Sequence, residues 1–239
     1  MIPILVATLL VQSPQIAVPG ELLNCGTDRS AETLLCRAVA AQRDGRHADS
    51  AAAFEDAASL SAIDDLDQSA RALVAAGNMW LLADRPEAAA NVIDRALALN
   101  RLDPVQRGLA LMDRARASVA MLEPKVAEGF ATEAQALIPE DPFVWYFTSG
   151  LALYAGDLER AKEDIDRALA LAPDAPEVLL RAAAIAEARG EEGPMRAYLE
   201  DAVRHGGDRP AGASARMLLE QLSEPPVGGD VPPEKKEAQ

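Results

Sequence analysis

Histidine, cysteine and aromatic side chains are all scarce in this chain: two histidines, two cysteines and 4% aromatics among 239 residues. Each shortage excludes something. His47 and His205 lie far from each other and from Cys25 and Cys36, too dispersed for a structural zinc set. There is no glycine-rich phosphate loop and no histidine pair at metal spacing. Neighbouring acids such as Asp64-Asp65 and Glu191-Glu192 fall at turns, where they are solvated. No nucleophile stands beside a base, so the expectation is a protein that is not an enzyme and uses no cofactor or metal. Basic residues are outnumbered, 23 Lys and Arg against 38 Asp and Glu, for a formal charge of -15. That balance argues against nucleic acid or an anionic membrane as the main partner. No apolar run approaches the roughly 20 residues of a membrane span, so none is expected in the mature chain.

What remains is aliphatic. Hydrophobic residues make up 49% of the chain, and with so few aromatics the core must be mostly Ala and Leu. Alanine has the best helix propensity and lets helix backbones approach closely, so the fold class is all-α.

The stretch from Pro142 to Ala175 gives the pattern. Phe143 to Ala155 reads as one amphipathic helix, Gly156-Asp157 as a turn and Leu158 to Leu171 as a second helix, which Pro173 stops. Trp145, Ser149, Ala152, Ala161, Ile165, Ala168 and Pro173 follow in an order that resembles the tetratricopeptide repeat, a helix-turn-helix unit of about 34 residues. Thr148-Ser149 stands for the signature Leu-Gly, Ala152 for Tyr and Ile165 for Phe. The pattern recurs at residues 31–64, 70–103, 104–141 and 176–209. Ile93 to Leu99 and Ile165 to Leu171 are the same seven residues, Ile-Asp-Arg-Ala-Leu-Ala-Leu, at equivalent positions. Internal duplication in a stacked array explains that identity.

The resemblance implies a right-handed superhelical solenoid of about five repeats over residues 31–222. A capping helix is expected at 210–222, with Met217, Leu218 and Leu222 covering the last apolar face. The third repeat departs from the pattern, reading as one long helix from Pro104 to Met121, a turn at Glu123-Pro124 and a helix to Leu137. Residues 223–239 are nearly devoid of apolar side chains and are expected to be a disordered tail.

In this family the first helix of each repeat lines a concave face that commonly binds a peptide or another protein. By position, the resemblance puts Leu35, Val39, Val74, Asn78, Met112, Arg116, Phe143, Tyr146, Phe147, Gly150, Tyr154, Arg181 and Ala184 there. Trp145, at a signature position, is expected in the core. Phe143, Tyr146, Phe147 and Tyr154, beside Arg116 and Arg181, read either as a recognition anchor or as packing against neighbouring repeats. One subclass grips a C-terminal carboxylate with Lys, Asn and Arg on successive first helices. The matching places here hold Leu35, Val39, Val74 and Asn78, so that grip is not expected. The implied function is a scaffold or adaptor for an unidentified protein or peptide. The alternatives are a self-assembling element, which allows self-association, and a cytosolic co-chaperone.

Residues 1–20 open with the apolar run Ile2 to Val11 and offer Val18-Pro19-Gly20 before Glu21. They read as a secretory leader, although no Lys or Arg precedes the run; an apolar arm packed on the first helices is the alternative. Export to a periplasm is the expectation, with the cytoplasm as alternative. In an oxidising compartment, Cys25 and Cys36 could bridge the lead segment 21–30 to the first helix. The other reading makes Cys36 a small buried residue and Cys25 an idle thiol.

Overall fold

The computed structural model describes residues 25–223. The leader expected at 1–20 and, apart from Ser223, the tail expected at 223–239 lie outside them. Among the described residues there are eleven helices and no strand. Five helix pairs follow one another: α1 (Ala31–Arg43) with α2 (His47–Ser61), α3 (Leu66–Leu82) with α4 (Pro86–Ala98), and α5 (Pro104–Ala120) with α6 (Pro124–Leu137). Then come α7 (Pro142–Ala155) with α8 (Leu158–Leu171), α9 (Pro176–Ala188) with α10 (Glu192–Gly206), and the single helix α11 (Pro210–Ser223).

Local chemistry sets these boundaries. Proline occupies the opening turn of α4, α5, α6, α7 and α9, where its missing N–H would be unpaired in any case. The side chains of Asp65, Asp103, Asp141 and Asp157 accept from free amides at the starts of α3, α5, α7 and α8. At the start of α1, Ser30 accepts from the Thr33 amide while Asp28 accepts from the Thr33 hydroxyl. Each turn inside a pair passes through one left-handed residue: Gly45, Asp84, Leu122, Gly156 and Gly190. The second repeat starts earlier than the 70–103 expected, because Asp65 caps α3 ahead of Leu66.

Packing follows the same period. Ala57, Ala96, Ala134, Ala168 and Ala202, at one position of successive second helices, are all fully buried. So are Ala38, Ala115 and Ser149 in the first helices, where the paired helix crosses. Ile93 and Ile165 fill the large core position; truncating either to alanine would cost about 2–5 kcal/mol. Every helix packs on the next, and α3 also packs on α5, α7 on α9 and α9 on α11. First helices of these neighbouring repeats therefore approach more closely than second helices do. The solenoid curves with the first helices on its inner side.

The last helix departs from expectation. Met217, Leu218 and Leu222 do not cover the end of the stack; they are exposed, Met217 to 61%. Ala211, Gly212 and Ala215 make the buried face instead. The reason is steric: a Cβ at Gly206 would lie 2.6 Å from the Gly212 backbone. That close crossing fixes the rotation of α11.

Candidate concave binding face

The inner side is built by a register between successive first helices. Asn78 on α3 meets Asp113 on α5, its Nδ2 donating to Oδ2 at 3.2 Å. Gly150 on α7 meets Arg181 on α9, with Arg181 Nη1 2.9 Å from where a Cβ would stand. In the repeat pattern these are the same two steps. Asn78 and Gly150 each lie five residues past their signature positions, Leu73 and Trp145, while Asp113 and Arg181 lie two past theirs, Leu111 and Leu179.

At the first step, Asp113 joins Asn78 and Arg116. Arg116 Nη1 donates to Asp113 Oδ1 at 2.8 Å. Burial pushes the Asp113 carboxyl above the usual carboxylate value, with Arg116 and Asn78 opposing the shift. Asp113 was not among the residues expected on this face. Its signal in the sequence was only an acid between two expected neighbours.

At the second step, the Arg181 guanidinium lies over the Tyr146 ring at 5.0 Å, and Nη2 donates to the Tyr146 hydroxyl at 3.3 Å. Phe143 stacks on Tyr146 and tilts against Phe147, each with centroids 6.1 Å apart. Helix α7, Pro142–Ala155, contains no charged residue.

The expected residues thus divide. Asn78, Arg116, Phe143, Phe147 and Arg181 are half-buried. Tyr154 is 73% exposed and makes no ring contact with the other described aromatics. Met112 is corrected: it is 2% exposed and packs in the core with Leu111 and Val144. Tyr146 is also largely core, 7% exposed, with Arg181 over its ring and on its hydroxyl. Trp145, expected in the core, is half-buried, and its indole N–H donates to the Pro139 carbonyl at 2.7 Å. The α7 helix is rotated so that Val144 and Thr148 point inward in its place.

At the N-terminal end, Cys25 and Cys36 form a disulfide that ties the lead segment to α1. Arg37 reinforces the tie by donating to the Gly26 carbonyl at 2.8 Å.

No family model matches the chain, and no curated protein matches it in sequence. Solved structures do match in fold. YrrB, described as a TPR protein with an unusual peptide-binding site, shares 16% identity over 80% of this chain and 93% of its own, with a TM-score of 0.58. The pilF protein of Pseudomonas aeruginosa shares 17% identity over 80% of this chain and 82% of its own, at 0.65. A thermophilic TPR protein from Thermus thermophilus shares 18% over 80% of this chain and all of its own, at 0.62. The chain has the fold of a tetratricopeptide-repeat array.

Proposed function

We propose that this tetratricopeptide array is a non-catalytic scaffold that holds an extended segment of a partner protein along its concave face. The observation that carries the reading is the surface of α7. Phe143 and Phe147 lie half-buried on a helix without charge, Tyr154 stands exposed further along it, and the Arg181 guanidinium is held alongside. Aromatics and arginine in a concave setting are the residue types that dominate recognition surfaces. The peptide-binding site attributed to YrrB, which shares the fold, supports the same use of the array.

The exported reading draws support from two places: the apolar run at the N-terminus and the Cys25–Cys36 disulfide, a bond that persists in oxidising compartments. Thiol alkylation of the protein denatured without reductant should label no cysteine. Two labelled thiols in protein from an oxidising compartment would end the disulfide and remove its support for export.

Placement of a photo-crosslinking residue tests the groove. Position 154 on the inner side and position 163 on the exposed side of α8 would each be cross-linked in the native cell. A partner captured from 154 and not from 163 is the expected result. Equal capture from both positions would overturn the concave reading. Light scattering at high concentration addresses self-assembly, for which a concentration-dependent rise in mass is the required outcome.

A further inference from the structure

We propose that Arg181 receives a carboxylate from the docked segment, and that the carboxylate is an Asp or Glu side chain lying close to an aromatic or large aliphatic residue. This rests on the concave reading and specifies the chemistry of its partner.

The first observation is the state of the other cations. Among the described residues, each arginine or lysine other than Arg181 that is withdrawn from water has a carboxylate of its own: Arg107 with Glu133, Arg114 with Asp94, Arg116 with Asp113, Arg160 with Glu128, Lys162 with Asp166 and Arg189 with Glu159. Those with no carboxylate partner, such as Arg29, Arg43, Arg71, Arg85, Arg167 and Arg196, are exposed. Arg181 is the exception, half-buried and without an ion pair among these residues. Glu177 lies one turn earlier on α9 and does not pair with it. In a chain of formal charge -15, a half-buried guanidinium left without an internal counter-ion is conspicuous.

The second observation is how firmly it is held. The absence of a side chain at Gly150 lets the guanidinium lie against α7, and the Tyr146 ring supports one of its faces. Guanidinium has five N–H donors. The Tyr146 hydroxyl takes one, and the others have no partner among the described residues and are not sealed from solvent. A planar cation oriented this way, with donors free at its edge, matches a carboxylate in fork geometry. Because the group is already ordered, little rotamer entropy is lost when the carboxylate arrives.

The third observation distinguishes the source of the carboxylate. Gripping a chain end takes several donors from successive first helices. Here the earlier first helices offer Leu35, Val39 and Val74, all apolar, with Asn78 and Arg116 both already engaged by Asp113. One free guanidinium beside the Tyr146 ring and an uncharged helix suits an acidic side chain next to an apolar one.

A random-peptide display selection on the full chain provides the test, with one library amidated at the C-terminus and one free. The expected winners from the amidated library carry Asp or Glu near Phe, Tyr or Leu. In fluorescence anisotropy, changing that Glu to Gln should weaken binding to the wild type about tenfold, the scale of one charge-assisted contact. On Arg181→Gln the same peptide change should cost about twofold or less. Gly150→Ala, which displaces the guanidinium without removing it, should lose the discrimination too and serves if Arg181→Gln lowers helicity. Selected peptides without an acidic bias, or an equal cost of Glu to Gln on wild type and both variants, would overturn the proposal. A requirement for the free C-terminus would overturn the side-chain source. Failure of both libraries to enrich any sequence would instead remove the concave reading on which this stands.

Discussion

Asn78 and Arg116 hold the same carboxylate from two different repeats: Asn78 donates to one oxygen of Asp113 at 3.2 Å and Arg116 to the other at 2.8 Å. The contact crosses from α3 to α5 and couples the second repeat to the third. Asp113→Ala would leave Arg116 half-buried and unpaired, so we expect a loss of about 2–3 kcal/mol in urea unfolding. Asp113→Asn, which keeps the shape and a hydrogen bond, should lose less. Equal losses in the two variants would mean that the charge of Asp113, which neither variant keeps, carries the whole contribution, and no loss in Asp113→Asn would mean that it contributes nothing.

Asp164 occupies the place that Val92 holds in the second repeat, one residue before the duplicated heptapeptide. Val92 is buried among apolar neighbours, whereas Asp164 is buried with its Oδ2 lacking any hydrogen-bond partner among the described residues. Its surroundings are Arg160, at 3.9 Å, and Glu163 on α8, with Thr148 on α7 and Gln135 on α6. Desolvation raises its pKa above 3.8, with Thr148 and Arg160 opposing. The native state therefore keeps this proton more readily than the unfolded chain does. The linked stability is greatest below the ordinary carboxylate range and is lost as pH rises through the raised value. Asp164→Val should stabilise the protein by about 1–2 kcal/mol at neutral pH. Thermal unfolding across pH should show that advantage shrinking on acidification.

Leu122 takes a left-handed backbone, φ 63°, at the turn where three of the other four repeats have glycine. Its side chain is exposed, so no packing offsets the strain. A non-glycine residue there costs about 1–2 kcal/mol, partly returned by the lower entropy of its unfolded chain. Leu122→Gly should accordingly raise stability by about 1 kcal/mol. A thermal midpoint that stays fixed or falls would show that the turn carries no net strain.

Gly150→Ala is expected to separate stability from recognition. Alanine within a helix is favoured over glycine by about 0.5–1 kcal/mol, and among the described residues the atoms nearest the new Cβ are all at the far end of the flexible Arg181 side chain. Circular dichroism on heating should show equal or higher stability. A large drop would mean that Arg181 cannot move aside and is part of the packing.

Helices, turns and repeat period were legible because each is a local property. Prolines at helix starts, aspartates as caps and small residues at each crossing recur within a window of one repeat, and the duplicated heptapeptide fixes the alignment without reference to any distant contact. The inner side was legible only as a set of positions. Asn78, Arg116, Phe147 and Arg181 lie there, but Met112 turns into the core and Asp113 takes its place facing Asn78.

The sequence by itself determined which segments are helical, where they turn and that they repeat, since backbone propensity and apolar spacing act between residues close along the chain. The tertiary structure alone decided how far each helix is rotated about its axis. That rotation depends on what the neighbouring repeat presents: Gly150 admitting Arg181, Gly206 and Gly212 drawing α11 inward, and Asp113 reaching between Asn78 and Arg116. A few tens of degrees move a side chain from groove to core, and no single repeat contains the information that sets them.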